Sequence, residues 1–279
     1  MKFCCFFLLI VMMCFPAAST PTSVRLVIPG PSAPFTVRNP FIEQLLVMIF
    51  AKQSISLELV YAPENITQGR ALKELNNHDV LDLTWSVSTK EREQLLIPIR
   101  VPIYQGYIGW RVFVINKSNQ EKFNDVDNVE KLSELLGIQR FDWPDYQIFL
   151  ENNLAVDGSL PFSHMHKAIE NGLADYFPRS VLEVTRELKA LNSNQLTIEQ
   201  TLLLKYPSSY YFFVGKNNTE LAKYIEKGLE IALADGSYQL LFQQHFGQAL
   251  EALNINDRKI LHLSSSSLPA KNPLINERL

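Results

Sequence analysis

Tyr210-Tyr-Phe-Phe-Val-Gly-Lys-Asn-Asn-Thr-Glu-Leu-Ala222 passes from an apolar extended run into the start of a helix, and Ala234-Asp-Gly-Ser-Tyr-Gln239 breaks that helix and opens another. Asn217 or Asn218 supplies the cap, and Leu221, Ile225, Leu229 and Ala232 fall on one helical stripe. Asp235-Gly236 interrupts it, after which Tyr238, Leu241, Phe242 and Phe246 form a second stripe ending at His245-Phe-Gly247. A strand followed at once by two amphipathic helices needs a sheet beneath it, so the upstream sequence must supply one.

It does. Residues 24–28 form an apolar run closed by Pro29-Gly30-Pro31, and Asn39-Pro40 then caps a helix whose Phe41, Ile42, Leu45, Leu46 and Ile49 repeat at helical spacing. A strand over 55–61, a helix over 69–76 and a strand over 80–83 follow, and strands alternating with helices predict a parallel α/β sheet. Residues 95–103 and 109–115 are extended and apolar, with Pro98 and Pro102 suited to edge or crossover positions. A second α/β set comes next: a helix over 126–136, a strand over 137–140, helices over 144–152 and 162–171, a strand over 173–177, and helical patterns at 181–191 and 198–204. Two sheets joined by crossovers give two lobes. The tail beyond Gly247, with Ser264 to Ser267, is expected to lie over the surface.

The N-terminus reads as an export signal. Lys2 precedes an uncharged apolar run from Phe3 to Phe15 and then Pro16-Ala-Ala-Ser19, which is the pattern of a signal peptide over residues 1–19 and is too short for a membrane span. Cys4, Cys5 and Cys14 all fall inside it, so the remaining chain has no thiol and must be held by its core rather than by disulfides. Without Lys2 the basic count falls from 26 to 25 against 29 acids. Neither sign dominates and the basic residues are dispersed, which excludes a nucleic-acid surface and points to a small partner.

The closing strand and paired helices resemble those of bacterial family 3 extracellular solute-binding proteins. Residues 72–83, the segment Ser86-Val-Ser-Thr-Lys-Glu-Arg92, which is similar to the family's Thr-x-x-Arg, and Asn171-Gly-Leu-Ala-Asp-Tyr-Phe177, which is similar to its Gly-Arg-x-Asp-Ala stretch, extend the likeness. The resemblance implies a type II periplasmic-binding-protein-like α/β fold. Lobe I would take 22–108 with 215–250, lobe II would take 109–214, and residues 251–279 would form a C-terminal tail. Gly106 and Gly109 would lie in a hinge between the lobes.

What the resemblance implies for function is a periplasmic monomer that captures a small polar or anionic, amino-acid-like ligand for a membrane permease or a sensor, with no cofactor, metal or chemistry of its own. Arg92 would grip a carboxylate, with Thr89 and Ser86 beside it, though a surface arginine paired with Glu91 or Glu93 is equally open. Phe35, Trp85 and Trp143, with Asp142 adjacent, would stack on or border the ligand. The pattern departs where the family presents an aspartate for the ligand's amino group, because Pro178-Arg179-Ser180 stands there. Arg179 in the cleft would call for a second anionic group, or it could cap the next helix or bond Asp175.

Other chemistry is weakly signalled. His164-Met-His166 lacks a metal-ligand pattern and fits a helix start, and no nucleophile elbow or phosphate loop occurs. The rival readings are an enzyme of the same fold resembling cyclohexadienyl dehydratase, with Glu183, Asp142 and His164 as acid and base, and a ligand-free signalling or structural relative.

Overall fold

The computed structural model describes residues 22–30, 39–62, 66–76 and 80–266. The expected leader and Phe35 lie outside these residues.

In the first lobe, β1 (Thr22–Ile28) pairs in parallel with β2 (Ile55–Tyr61) through the crossover helix α1 (Pro40–Ala51). Asn39 caps α1 as expected, its Oδ1 accepting from the Ile42 amide at 3.4 Å with Pro40 in the first turn, and α1 buries Phe41, Ile42, Leu45, Leu46 and Ile49. A short helix α2 (Gln68–Glu74) leads to β3 (Thr84–Val87), α3 (Lys90–Leu95) and β4 (Leu96–Ile99). The strand expected at 80–83 begins later, at Thr84; Asp82 and Leu83 instead turn their amides to the Val27 carbonyl, and the Asp82 carboxylate accepts from Val27 N at 2.7 Å.

The second lobe follows as β5 (Trp110–Asn116), α4 (Val129–Leu132), β6 (Gly137–Ile138), α5 (Pro144–Glu151), β7 (Val156–Asp157), α6 (Phe162–Glu170), β8 (Phe177–Ser180), α7 (Val184–Leu191), β9 (Leu196–Ile198) and β10 (Leu202–Lys205). Two sequence expectations are corrected here. Residues 198–204 are not helical: Leu202, Leu203 and Leu204 are buried on both faces of β10, the environment of an interior strand, and an apolar run that short carries no period to separate strand from helix. The strand expected at 173–177 starts at Phe177 and runs through Pro178-Arg179-Ser180, pairing antiparallel with β5.

The chain returns to the first lobe at β11 (Tyr210–Gly215), which lies between β3 and β4, antiparallel to both. The return therefore precedes Tyr210 rather than following Val214. Pro98 sits on the edge strand β4, where no partner needs its missing amide. Helices α8 (Thr219–Ala234) and α9 (Ser237–Ala252) then pack on α1, with Gly236 in the left-handed region between them at φ 77°. The tail is not a surface cover: β12 (Lys259–His262) joins the second-lobe sheet parallel to β10 and buries Leu261, and Leu263 beyond it is buried too.

Among the described residues three apolar clusters result, one in each lobe and a large one passing through the crossovers, where Tyr107 stacks on Phe242 at 5.8 Å and meets Trp110 at 4.8 Å. The two inner crossovers touch at Gly109, whose carbonyl accepts from the Tyr206 amide at 3.1 Å. A Cβ on Gly109 would stand 2.2 Å from the Tyr206 carbonyl oxygen. Gly109→Ala is therefore expected to cost about 1–3 kcal/mol by overpacking. Gly106→Ala, at φ 83° with open space around it, should cost only about 1 kcal/mol of backbone strain. Urea denaturation of both variants measures the difference, and equal losses would contradict the close approach.

Candidate functional site: the interlobe cleft

A cleft of about 350 Å³ opens between the lobes, inside the size range of small-molecule sites. Its first-lobe wall comes from the ends of β1 and β2, the start of α1 and strand β3, which contribute Gly30, Tyr61, Glu43, Trp85 and Val87. The second-lobe wall comes from the starts of α5, α6 and α7 and from β5 and β8, with Arg111, Asp142, Trp143, Asp145, Arg179 and Glu183. Tyr210, the first residue of β11, closes the floor.

The second-lobe wall is built from ion pairs. Arg111 enters β5 ahead of four buried apolar residues and is itself buried, so its charge needs partners. Its Nη2 donates to Asp145 at 2.5 Å and its Nε to the Tyr206 hydroxyl at 2.8 Å, while Tyr206 donates to the same Asp145 oxygen. Burial would lower the Arg111 pKa, but Asp145 and Tyr206 outweigh it and hold the guanidinium firmly protonated. Arg179 is equally enclosed. Its Nε donates to Glu187 at 2.7 Å and its Nη2 to the other Glu187 oxygen and to Glu183 at 3.1 Å. Its plane lies over Trp143, Phe162 and Phe177 at 5.3, 5.3 and 5.1 Å. Glu187 is held below the usual carboxylate range: burial alone would raise it, and the Arg179 contact reverses the sign. At the rim, Arg140 grips Asp142 through two bonds of 2.6 Å.

Against the sequence expectations, Trp85, Trp143, Asp142 and Arg179 line the cleft, whereas Arg92, Thr89, Ser86 and Ser180 stand behind its lining. Arg179 neither caps α7 nor bonds Asp175, which goes to Lys122 and the Leu136 amide. Its fork is filled by Glu187, so it does not call for an anionic group on a ligand. Ser180 is the last residue of β8, and its Oγ accepts from Leu182 N at 3.3 Å. Arg92 is half-buried one layer back from Val87; its Nη1 donates to the Ser86 Oγ and the Val87 carbonyl, each at 2.7 Å, and the Thr89 hydroxyl caps α3 by accepting from Arg92 N at 3.3 Å. It is not a surface arginine paired with its neighbours, because Glu93 is taken by Arg100 and Ser88. Burial lowers the Arg92 pKa, with Tyr210, Asp145 and Asp142 pulling the other way.

The acid and base candidates do not all converge. Glu183 and Asp142 face the cleft, but His164 is exposed beside Ser163, outside the lining. Sequence reading missed Arg111, Asp145 and Glu187 as members of the site. An arginine opening an otherwise buried apolar strand is the signal that could have found the first, and the Glu183/Glu187 spacing on one helical face the last.

No protein-family profile matches the sequence, and no curated protein matches it. Solved structures do match. An ancestral arginine-binding protein bound to arginine superposes with a TM-score of 0.59 at 18% identity, over 81% of this chain and 98% of its own. An arginine-specific periplasmic binding protein of Salmonella typhimurium gives 0.58 at 14%, over 81% and 99%. An ancestral amino-acid-binding protein, described as a precursor of cyclohexadienyl dehydratase, gives 0.58 at 15%, over 80% and 95%. This chain has the two-lobed periplasmic binding-protein fold. In that fold the second-lobe ion pairs described above form one jaw of the cleft, and Arg92 stands behind the other.

His166, on α6, packs edge-on against Phe162 and Phe177 beneath the Arg179 cluster, and burial pushes its pKa down to about 4. The folded state thus holds it neutral where the unfolded chain, at about 6.5, takes up a proton. The stability this contributes is present above pH 6.5 and is lost as pH falls toward 4, by as much as about 3 kcal/mol. Urea midpoints between pH 7 and pH 4 should show this slope, and His166→Leu should flatten it; an unchanged slope in the variant would assign it elsewhere.

Proposed function

We propose that this protein captures a small zwitterionic, amino-acid-like solute in the cleft, without covalent chemistry, and presents it outside the cytoplasm to a membrane permease or a sensor. The observation that carries the reading is the state of Arg92. Among the described residues it is the one arginine away from the open surface that has no acid within ion-pair distance, while Arg100, Arg111, Arg140, Arg179 and Arg258 each have one. A guanidinium half withdrawn from water without an anion is poorly compensated, and a ligand carboxylate arriving past Val87 and Tyr210 would supply the missing charge. Glu183, whose side chain keeps 34% of its surface accessible, and Glu43 offer acceptors for the ligand's ammonium group on opposite walls. Trp85 offers an apolar face on the first-lobe wall.

Export is supported by the leader pattern and by the periplasmic setting of one of the matched structures. Among the described residues no helix is long and apolar enough to cross a membrane. The binding reading is preferred to an enzymatic one because the only imidazole of the proposed acid and base set, His164, stands apart from Asp142 and Glu183.

Thermal-shift and calorimetric titration of the protein against single amino acids and dicarboxylates tests the proposal. A zwitterion at 100 times its Kd should add about 2.7 kcal/mol of stability. Removing a charge-assisted carboxylate grip is worth about 1.5–3 kcal/mol, so Arg92→Ala should weaken the hit roughly 10- to 100-fold. Undiminished affinity in that variant would overturn the assignment.

A further inference from the structure

After α9 the chain does something that capture in the cleft does not require. Arg258 holds the end of the first-lobe helix α9, its Nε donating to the Leu253 carbonyl at 2.8 Å. Its Nη1 reaches the second lobe, donating to the Glu199 and Leu202 carbonyls at 2.5 and 3.1 Å. Strand β12 is then woven into the second-lobe sheet beside β10. Beyond it, Ser264 exchanges hydrogen bonds with Asn152 at the end of α5, at 2.8 and 3.0 Å, and Ser266 donates from both its amide and its hydroxyl to Glu151 at 3.0 and 2.7 Å. Finally the Ser266 carbonyl accepts from Lys90 Nζ, back on first-lobe helix α3, at 3.1 Å.

The segment thus leaves one lobe, is fixed along the other and ties back to the first. We infer that residues 258–266 form a strap between the lobes that holds them in the arrangement seen here and limits how far the jaws open. The geometry singles out the Lys90 end as the releasable one. Lys90 and Glu151 stand on facing lobes, on the helices α3 and α5 that also carry Arg92 and Asp145, and all of the contacts at Ser266 lie in solvent-accessible positions. The Arg258 end is enclosed by backbone carbonyls and by buried Glu199, so it is the anchor. Any rotation that separates α3 from α5 must first break the contacts of Ser266, and a few exposed hydrogen bonds set a restraint of a size that ligand binding can work with or against.

The test is small-angle scattering of the full chain without ligand, so it stands apart from the ligand assignment: no titration outcome bears on it. The double substitution Lys90→Ala with Glu151→Ala removes both partners of Ser266 and leaves β12 and Arg258 untouched. A radius of gyration larger than the parent's, with hydrogen exchange rising at 264–266 and not in β5 or β10, is the expected result. Charge reversal by Glu151→Lys, which repels Lys90, should give the same expansion. Faster exchange at 264–266 with an unchanged scattering curve in both variants would show that the strap releases without freeing the lobes, and would overturn the inference.

Discussion

Two guanidinium groups taken out of water, Arg111 and Arg179, set the terms for the second lobe. Leaving either unpaired would be strongly destabilising, so the fold must bring acids to them. Asp145 comes from the first turn of α5, Glu183 and Glu187 come from the start of α7, and Tyr206 comes from the second crossover. The positions of those helices against β5 and β8 are therefore fixed by charge as well as by apolar contact. The rings of Trp143, Phe162 and Phe177 complete the enclosure of Arg179, which places the starts of three helices at one edge of the cleft.

This construction changes what the cleft offers. A jaw of arginines with open forks would select anions, and that is the natural expectation when Arg179 stands where an acid is usual. With Glu187 occupying the fork, and Asp145 and Asp142 matched to Arg111 and Arg140, the wall is charged but internally balanced. Among the described residues, what remains unspent includes the accessible part of Glu183, the Glu43 carboxylate that accepts from Tyr61, the exposed Arg186 of the lining, and the Arg92 guanidinium behind Val87. Those leftovers are of both signs, which matches a ligand that carries both.

The fold was legible where local signals agreed. Asn39-Pro40 with its apolar stripe, Asp235-Gly236 between two amphipathic runs and the Pro98 edge strand each combine a boundary residue with a period, and each is found in the structure. Residues 198–204 and the tail misled for the opposite reason: Leu202-Leu-Leu204 has no period, and β12 gains its strand form only by adding to β10, a partner some 57 residues away in sequence that no local pattern announces. The site divides in the same way. Trp143 is placed by its loop before α5, and Trp85 lines the cleft from within β3 rather than from a loop, but the role of Arg179 is the inverse of the expected one because Glu187 fills its fork, and Arg111 carries no local signal of a partner because Asp145 lies 34 residues on. Pairing across such distances is a tertiary fact.

The same network bears on motion. Arg111 follows the first crossover directly and Tyr206 begins the second, so the bond between them, with Asp145 beneath, clasps the two strands where they enter the second lobe. The contact of Gly109 with Tyr206 continues that clasp into the crossovers themselves. Flexing within the second lobe would have to break buried charge-assisted bonds, whereas movement between the lobes bends the few residues between the clasp and β4 or β11 and works against the exposed contacts of Ser266. The ion-paired jaw consequently travels as a unit with its groups already ordered, which spares a ligand the entropy of arranging them. Among the described residues the first-lobe side has no such bracing around Arg92, whose Nη1 contacts come from one short segment, Ser86 and Val87. On the proposed function, adjustment to a ligand would fall on that side, where the uncompensated charge already is.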